Sequence, residues 1–264
     1  MPQFMDIAVN LIGSKLETEV DRVVAEAANA GVSSMLIIGS HIEESGKAIE
    51  LCTVFPEQLY STAGVHPHHA SEWTTQSSEQ IKQLSLAQCV VAIGECGLDY
   101  NRDFSPRPKQ RQAFAEQLEL AAELQMPVLM HERDAHADFL AILKEYRPHL
   151  PAALLHCFTG NHESLAAYLE QDLHLGVTGW VCDERRGQEL VALVPLIPDN
   201  RILVETDSPY LLPRSMRPKP KSSKNEPKYL PYIAEYVAQI RQQSVEDFAQ
   251  QTYQNSRSFF GLPY

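Results

Sequence analysis

The chain has 264 residues, 44% apolar and 21% charged, enough for a sizeable core and close to the roughly 250 residues of one α/β barrel. Its net charge of −12 argues against a protein that coats nucleic acid over its whole surface. No apolar stretch approaches the roughly 20 residues that span a bilayer, and the opening MPQFMDIAVNLIGSKLE lacks the basic region and cleavage site of a signal peptide.

Strand and helix signals alternate along the chain. MDIAVNL (5–11) reads as a first strand, and LETEVDRVVAEAANAG (16–31) repeats apolar residues at helical spacing up to Gly31. SMLIIG (34–39) predicts a second strand with a helix near 42–54, and LYSTAGVH a third strand leading to His66, with a helix near 77–88. CVVAIGE (89–95) is the fourth strand, followed by the clearest helix, 109–125. MPVLMH (126–131), AALLH (152–156), HLGVTG (174–179) and RILVETD (201–207) are strands five to eight. Helices are expected near 135–146, 162–171 and 184–194, with two closing helices at 229–242 and 245–261. Strands this apolar, alternating with helices, predict a parallel (β/α)8 barrel in a single domain over 1–264. A doubly wound open sheet is the runner-up, and the absence of G-x-G-x-x-G after the first strand speaks against it.

Five cysteines (52, 89, 96, 157 and 182) without a C-x-x-C pair indicate neither a disulfide framework nor a zinc knuckle, and a reducing cytoplasm is the expected setting. Cys96 and Cys157 follow Glu95 and His156 directly, so strand alternation turns each to the opposite side as a packing residue.

Five apolar strands end in a chemically capable residue: His66, Glu95, His131, His156 and Asp207. The intervals of 29, 36, 25 and 51 residues fit one, one, one and two strand–helix repeats. Residues at strand C-termini are the ones a barrel gathers into its active site. Mixed histidine and carboxylate donors suit Zn, Mn and Mg. Glu95, His131, His156 and Asp207 are therefore the expected metal ligands, with Asp207 as the base acting on a water and His66 as a further catalytic residue. His68 of the H-P-H-H cluster and Arg133 are candidates for substrate contact; His41, His69, His136, His149, His162 and His174 are read as structural or solvated. The segment 214–228 carries +5 in a chain whose remainder is −17, so Lys219, Lys221 and Lys224 are expected to hold a polyanion. Arg185 or Arg186 would add phosphate contacts, and Tyr100 and Tyr210 are candidates for base stacking.

The motifs GVHPH (64–68), GECGLD (94–99), HERDAH (131–136), HCFTG (156–160), ETDSPYLLP (205–213) and KNEP (224–227) resemble the TatD family of metal-dependent deoxyribonucleases, and the likeness runs from Asp6 to Gly261. The resemblance implies a TIM barrel of the metallo-dependent hydrolase type and divalent-metal-dependent cleavage of phosphodiesters. It further implies 3′→5′ exonuclease action on single-stranded DNA and RNA by a cytoplasmic monomer in DNA repair or turnover. Mg²⁺ is the ion implied, with Mn²⁺ or Zn²⁺ as alternatives and one or two ions bound. Ligation carries over to Glu95, His131, His156 and Asp207. One departure stands out. Many members begin with Asp-x-His-x-His, whereas this chain has Ala8 and Asn10 at the two histidine positions, which predicts a weakly held second ion. In HERDAH, Glu132 is expected to face away from the metal. Two other readings remain open from the residues: a small-molecule metallo-amidohydrolase or esterase, and a barrel that binds nucleic acid without catalysis.

Overall fold

The computed structural model describes residues 2–263. In chain order its elements are β1 (Phe4–Val9), α1 (Val20–Asn29), β2 (Val32–Ile37), α2 (Ile42–Val54), β3 (Leu59–Ala63), α3 (Ser77–Leu84), β4 (Val90–Asp99), α4 (Arg107–Leu124) and β5 (Val128–Arg133). There follow α5 (His136–Tyr146), β6 (Ala153–Leu155), α6 (His162–Glu170), β7 (His174–Val177), α7 (Gln188–Leu193), β8 (Ile202–Val204), α8 (Leu230–Ile240) and α9 (Val245–Phe259). The strands lie in one sheet in the order β1 to β8, the topology of a (β/α)8 barrel. Among the described residues no helix is long and apolar enough to cross a membrane.

Two compact units make up the chain. One takes the chain up to Ile37, Cys157–Leu165 and everything from His174 onward; the other takes Ile38–His156 and Ala166–Leu173. In the first, β1 pairs in parallel with β2, and β7 with β8. The end of β1 meets the chain just past β8 through a Val9–Ser208 bridge, an Asn10 N–H to Ser208 carbonyl bond of 2.8 Å and an Asp207 N–H to Ala8 carbonyl bond of 3.0 Å. In the second, β3, β4, β5 and β6 pair in parallel in that order. Every residue of β1 and of β4 is buried, as expected for strands with helices on one side and barrel interior on the other.

Three boundaries depart from the sequence reading, each for a local reason. β4 runs on to Asp99 where the apolar run predicts an end at Glu95. The extension depends on Gly97, at φ +142°, where a Cβ would sit 1.9 Å from the His131 carbonyl oxygen; without a side chain, β4 can lie against β5. β8 is shorter than 201–207, because Asp207 takes a left-handed φ of +53° and turns the chain. The helix expected from 184 begins only at Gln188. Asp183 ties down the preceding residues in a turn, its Oδ1 accepting the Arg185 N–H at 3.0 Å.

Candidate metal centre

Four of the five strand-end residues belong to the second unit, and there they converge. Glu95 stands midway along β4, 6% exposed. Its Oε1 lies 2.7 Å from His156 Nε2, 3.1 Å from His131 Nδ1 and 3.4 Å from His66 Nε2. Each imidazole comes from a different strand end. His131 is in β5, opposite Gly97 of β4 in register. His156 follows β6, with its N–H on the Met130 carbonyl at 3.0 Å. His66 follows β3, with its N–H on the Ser40 carbonyl at 2.8 Å.

A second carboxylate extends the cluster, one that the apolar-run reading missed. Asp99, the last residue of β4, places Oδ2 2.7 Å from His68 Nε2 and 3.4 Å from His131 Nε2. Its Oδ1 accepts the N–H groups of Asn101 (3.0 Å) and Arg102 (2.8 Å), which fixes the carboxylate and starts the loop after the strand. The signal was present as the last letter of GECGLD. What the apolar pattern lacked was the means of knowing that the strand continues past two glycines.

His131 therefore sits between two carboxylates. Burial presses its pKa down, but hydrogen bonds to Asp99 and Glu95 outweigh that and raise it to about 9. Burial likewise opposes ionisation of Glu95 and Asp99. The imidazoles around Glu95 hold it well below the ordinary range, and His131, His68 and the Arg102 N–H do the same for Asp99. Two carboxylates held in the ionised form thus face the imidazoles of the cluster. His66 differs: burial pushes its pKa down to about 4, so it is neutral. Its Nδ1 accepts the His68 N–H at 3.1 Å, which leaves the ring proton on Nε2, facing Glu95.

The donor set fits a divalent ion. Glu95 Oε1 stands 3.1 Å from His131 Nδ1 and 2.7 Å from His156 Nε2, and a ligand atom of His66 lies within 4.8 Å of those of Glu95 and His131 at the edge of the group. Around an ion held at about 2.1 Å, neighbouring donors are separated by about 3.0–3.4 Å, close to the spacings around Glu95 Oε1. Two or three imidazoles with one or two carboxylates is a borderline-to-hard set suited to Zn, Mn or Mg.

In the first unit, Asp207 follows β8, and its Oδ1 accepts the Asn10 amide at 3.1 Å. Glu205 is fully buried and turned to the support role. Its carboxylate accepts the Cys157 N–H, and Gly176 makes room for it, since a Cβ there would lie 2.7 Å from Oε1. Glu132 of β5 faces away from the cluster as expected, accepting the Ala135 N–H at 2.7 Å and the Tyr168 hydroxyl at 2.9 Å. His136 Nδ1 meets the same hydroxyl at 2.8 Å. Arg133 is the last residue of β5, paired in register with Asp99. Cys96 is buried with its thiol on the Leu129 carbonyl, and the Cys157 thiol contacts Thr178, both packing positions.

Other expectations change. Tyr100 does not offer a bare ring: the Arg107 guanidinium lies 4.2 Å over it, and its hydroxyl donates to Asp138 at 2.6 Å. The exposed aromatic beside the cluster is Phe104, 68% exposed, with its ring centre 4.7 Å from that of His68. In the basic segment, Lys219 and Lys221 are exposed, while Lys224 is tied to Glu19 and Lys228 to Glu26 of α1, with Arg22 joining Glu19, Glu26 and Glu226 in the same network.

Residues 5–261 match the TatD related DNase family. The chain belongs to that family. The 3′-5′ ssDNA/RNA exonuclease TatD of Pectobacterium parmentieri is 52% identical over 257 residues, covering 97% of this chain and 99% of the relative. The protein of the same name from Erwinia amylovora is 52% identical with the same coverage. Among solved structures, a TatD-family hydrolase from Entamoeba histolytica aligns with a TM-score of 0.86 at 27% identity over 97% of both chains. The TatD homologue YjjV of Escherichia coli K12 aligns with a TM-score of 0.89 at 23% identity over 99% of both chains, a likeness of fold. The metallo-hydrolase type of (β/α)8 barrel is thereby that of the TatD related DNases.

Proposed function

We propose that this protein is a divalent-metal-dependent nuclease that removes nucleotides from the 3′ end of single-stranded DNA and RNA. The observation that carries the chemistry is the convergence of three imidazole nitrogens on Glu95 Oε1 within 3.4 Å. The substrate and polarity rest on relatives of half-identical sequence named as 3′-5′ ssDNA/RNA exonucleases. These relatives also weigh against the amidohydrolase and the non-catalytic readings.

Glu95, His131 and His156 would hold the ion, with Asp207 as a fourth donor and Mg²⁺ as the first choice. Such an ion, when bound, polarises a phosphoryl oxygen and acidifies water. Asp207 would serve as the base for the attacking water. His66, neutral and with its Nε2 proton turned toward Glu95, assists by orienting that carboxylate. Asp99 holds the His131 ring in place, as carboxylates do for ligating imidazoles. His68 and Arg133 contact the substrate. Phe104 stacks on a nucleobase, an interaction that accepts any base. Lys219 and Lys221 hold the backbone, on a segment that Lys224 anchors to Glu19. The protein acts as a monomeric single-domain barrel in the cytoplasm, in DNA repair or turnover.

Digestion of 3′-labelled and 5′-labelled single-stranded oligonucleotides by EDTA-stripped protein, with Mg²⁺, Mn²⁺ or Zn²⁺ added back, tests this. Metal-restored release of mononucleotide from the 3′ label with a shrinking 5′-labelled ladder is the expected result. Intact oligonucleotide in every ion overturns it.

A further inference from the structure

The loops after β7 and β8 build a cluster that the metal centre does not use. Asp183, 3% exposed, lies in the β7 loop. Three guanidinium groups surround its carboxylate. Arg186 Nη2 is 3.0 Å and Arg185 Nε 3.4 Å away, and Arg214 Nε, from the β8 loop, is 3.7 Å away. The three arginine side chains remain 57%, 55% and 45% exposed for Arg185, Arg186 and Arg214. Arg217 joins the group by donating to the Arg214 carbonyl at 2.9 Å.

This is more cation than one carboxylate can satisfy. Three guanidiniums carry about fifteen N–H donors, and a carboxylate accepts about four. Glu184 adds only a distant contact, 3.9 Å from Arg214. Most donors therefore face solvent, in a protein whose net charge is −12. The cluster is also built to stay in place. The two loops meet at Gly179, where a Cβ would lie 2.3 Å from the Leu211 carbonyl oxygen, and the Arg186 guanidinium stacks 4.3 Å over the Trp180 ring. In barrels of this class, the loops after strands 7 and 8 are a recurrent location for phosphate binding.

The geometry points to a phosphate-binding platform made by Arg185, Arg186 and Arg214 around Asp183, which grips the backbone of a single strand at phosphates other than the one being cleaved. Asp183 sets the spacing of the guanidiniums and offsets part of their mutual repulsion. Bridging phosphates complete the neutralisation. This rests on the nuclease reading for the identity of the strand.

The test uses the full-length protein, a fluorescein-labelled dT20 probe and a dinucleotide. R185Q/R214Q leaves Arg186 on Asp183 and Trp180, so the buried carboxylate keeps a partner. E184Q, at an exposed position, removes a competing negative charge. For R185Q/R214Q the expected results are a roughly tenfold weaker Kd for dT20 and a log Kd against log salt slope shallower by about 1.4, at about 0.7 for each phosphate no longer neutralised. The ratio of kcat/KM for dT20 to that for the dinucleotide, which has one phosphodiester, should fall in parallel. E184Q should move Kd and slope the opposite way. Kd values within twofold and equal slopes for the parent and both variants would overturn the platform while leaving cleavage intact. Binding that follows the arginines, with no cleavage of either substrate in any ion, would support the platform and remove the nuclease reading.

Discussion

Asn10 donates from Nδ2 to Asp207 Oδ1 and to the Ser208 carbonyl, both at 3.1 Å. In the family pattern, position 10 is often a histidine; here an amide that cannot match imidazole as a ligand instead fixes the orientation of the carboxylate. The loss of a ligand thus leaves a positioning contact. Asn10→Ala should lower kcat about 5- to 30-fold, the worth of one charged hydrogen bond of about 1–2 kcal/mol, with KM for DNA nearly unchanged. Steady-state kinetics on a labelled oligonucleotide measures this. An unaltered kcat would detach Asn10 from the mechanism.

Asp99 touches His131 but is assigned a supporting role, so its loss should act through the ion. Asp99→Asn is expected to weaken metal affinity about 10- to 100-fold, with activity recovering as Mg²⁺ or Mn²⁺ is raised. Metal titration of activity decides it. A deficit that persists at saturating ion would make Asp99 a direct participant.

Phe104 is a large apolar side chain left 68% exposed beside His68. If it stacks on a base, Phe104→Ala should raise KM for single strands by about 5- to 160-fold, corresponding to about 1–3 kcal/mol, and leave thermal stability unchanged. An abasic strand should show little difference between parent and variant. Equal losses on abasic and normal strands would contradict stacking.

Stability should depend on pH through Asp6. Burial raises its pKa from 3.8 to about 8, against the lowering effect of its hydrogen bonds with Thr206. The folded state therefore keeps this proton where the unfolded chain has lost it. The contribution is fully present below pH 4 and is lost as pH rises from about 4 to about 8, at up to roughly 1.4 kcal/mol per pH unit. Asp6→Asn imitates the protonated group, with its amide able to meet the Thr206 hydroxyl, and should flatten that slope. Urea melts from pH 5 to pH 8 give the comparison, and parallel curves for parent and variant would refute the assignment.

His66, Glu95, His131 and His156 were legible because each closes an apolar run, and strand ends are where a barrel collects its chemistry. Asp99 was not, since its place depends on Gly97 allowing β4 to approach the β5 backbone, a three-dimensional condition without an apolar signature. The basic segment was legible as charge but not as contacts. Lys224 and Lys228 find Glu19 and Glu26, about two hundred residues earlier, and composition cannot pair residues across that distance. Of the stacking candidates in the sequence, Tyr100 is covered by the guanidinium of Arg107, whereas Phe104, which the sequence reading did not single out, is left exposed.

The proposed chemistry depends on one ion among Glu95, His131 and His156. Anomalous diffraction from crystals of the Mn²⁺-loaded protein, recorded at the manganese edge, tests it most directly. The predicted result is a peak about 2.1–2.3 Å from a Glu95 carboxylate oxygen and a nitrogen each of His131 and His156. Mn²⁺-dependent cleavage by protein from the same preparation, with no peak at this cluster, would contradict it.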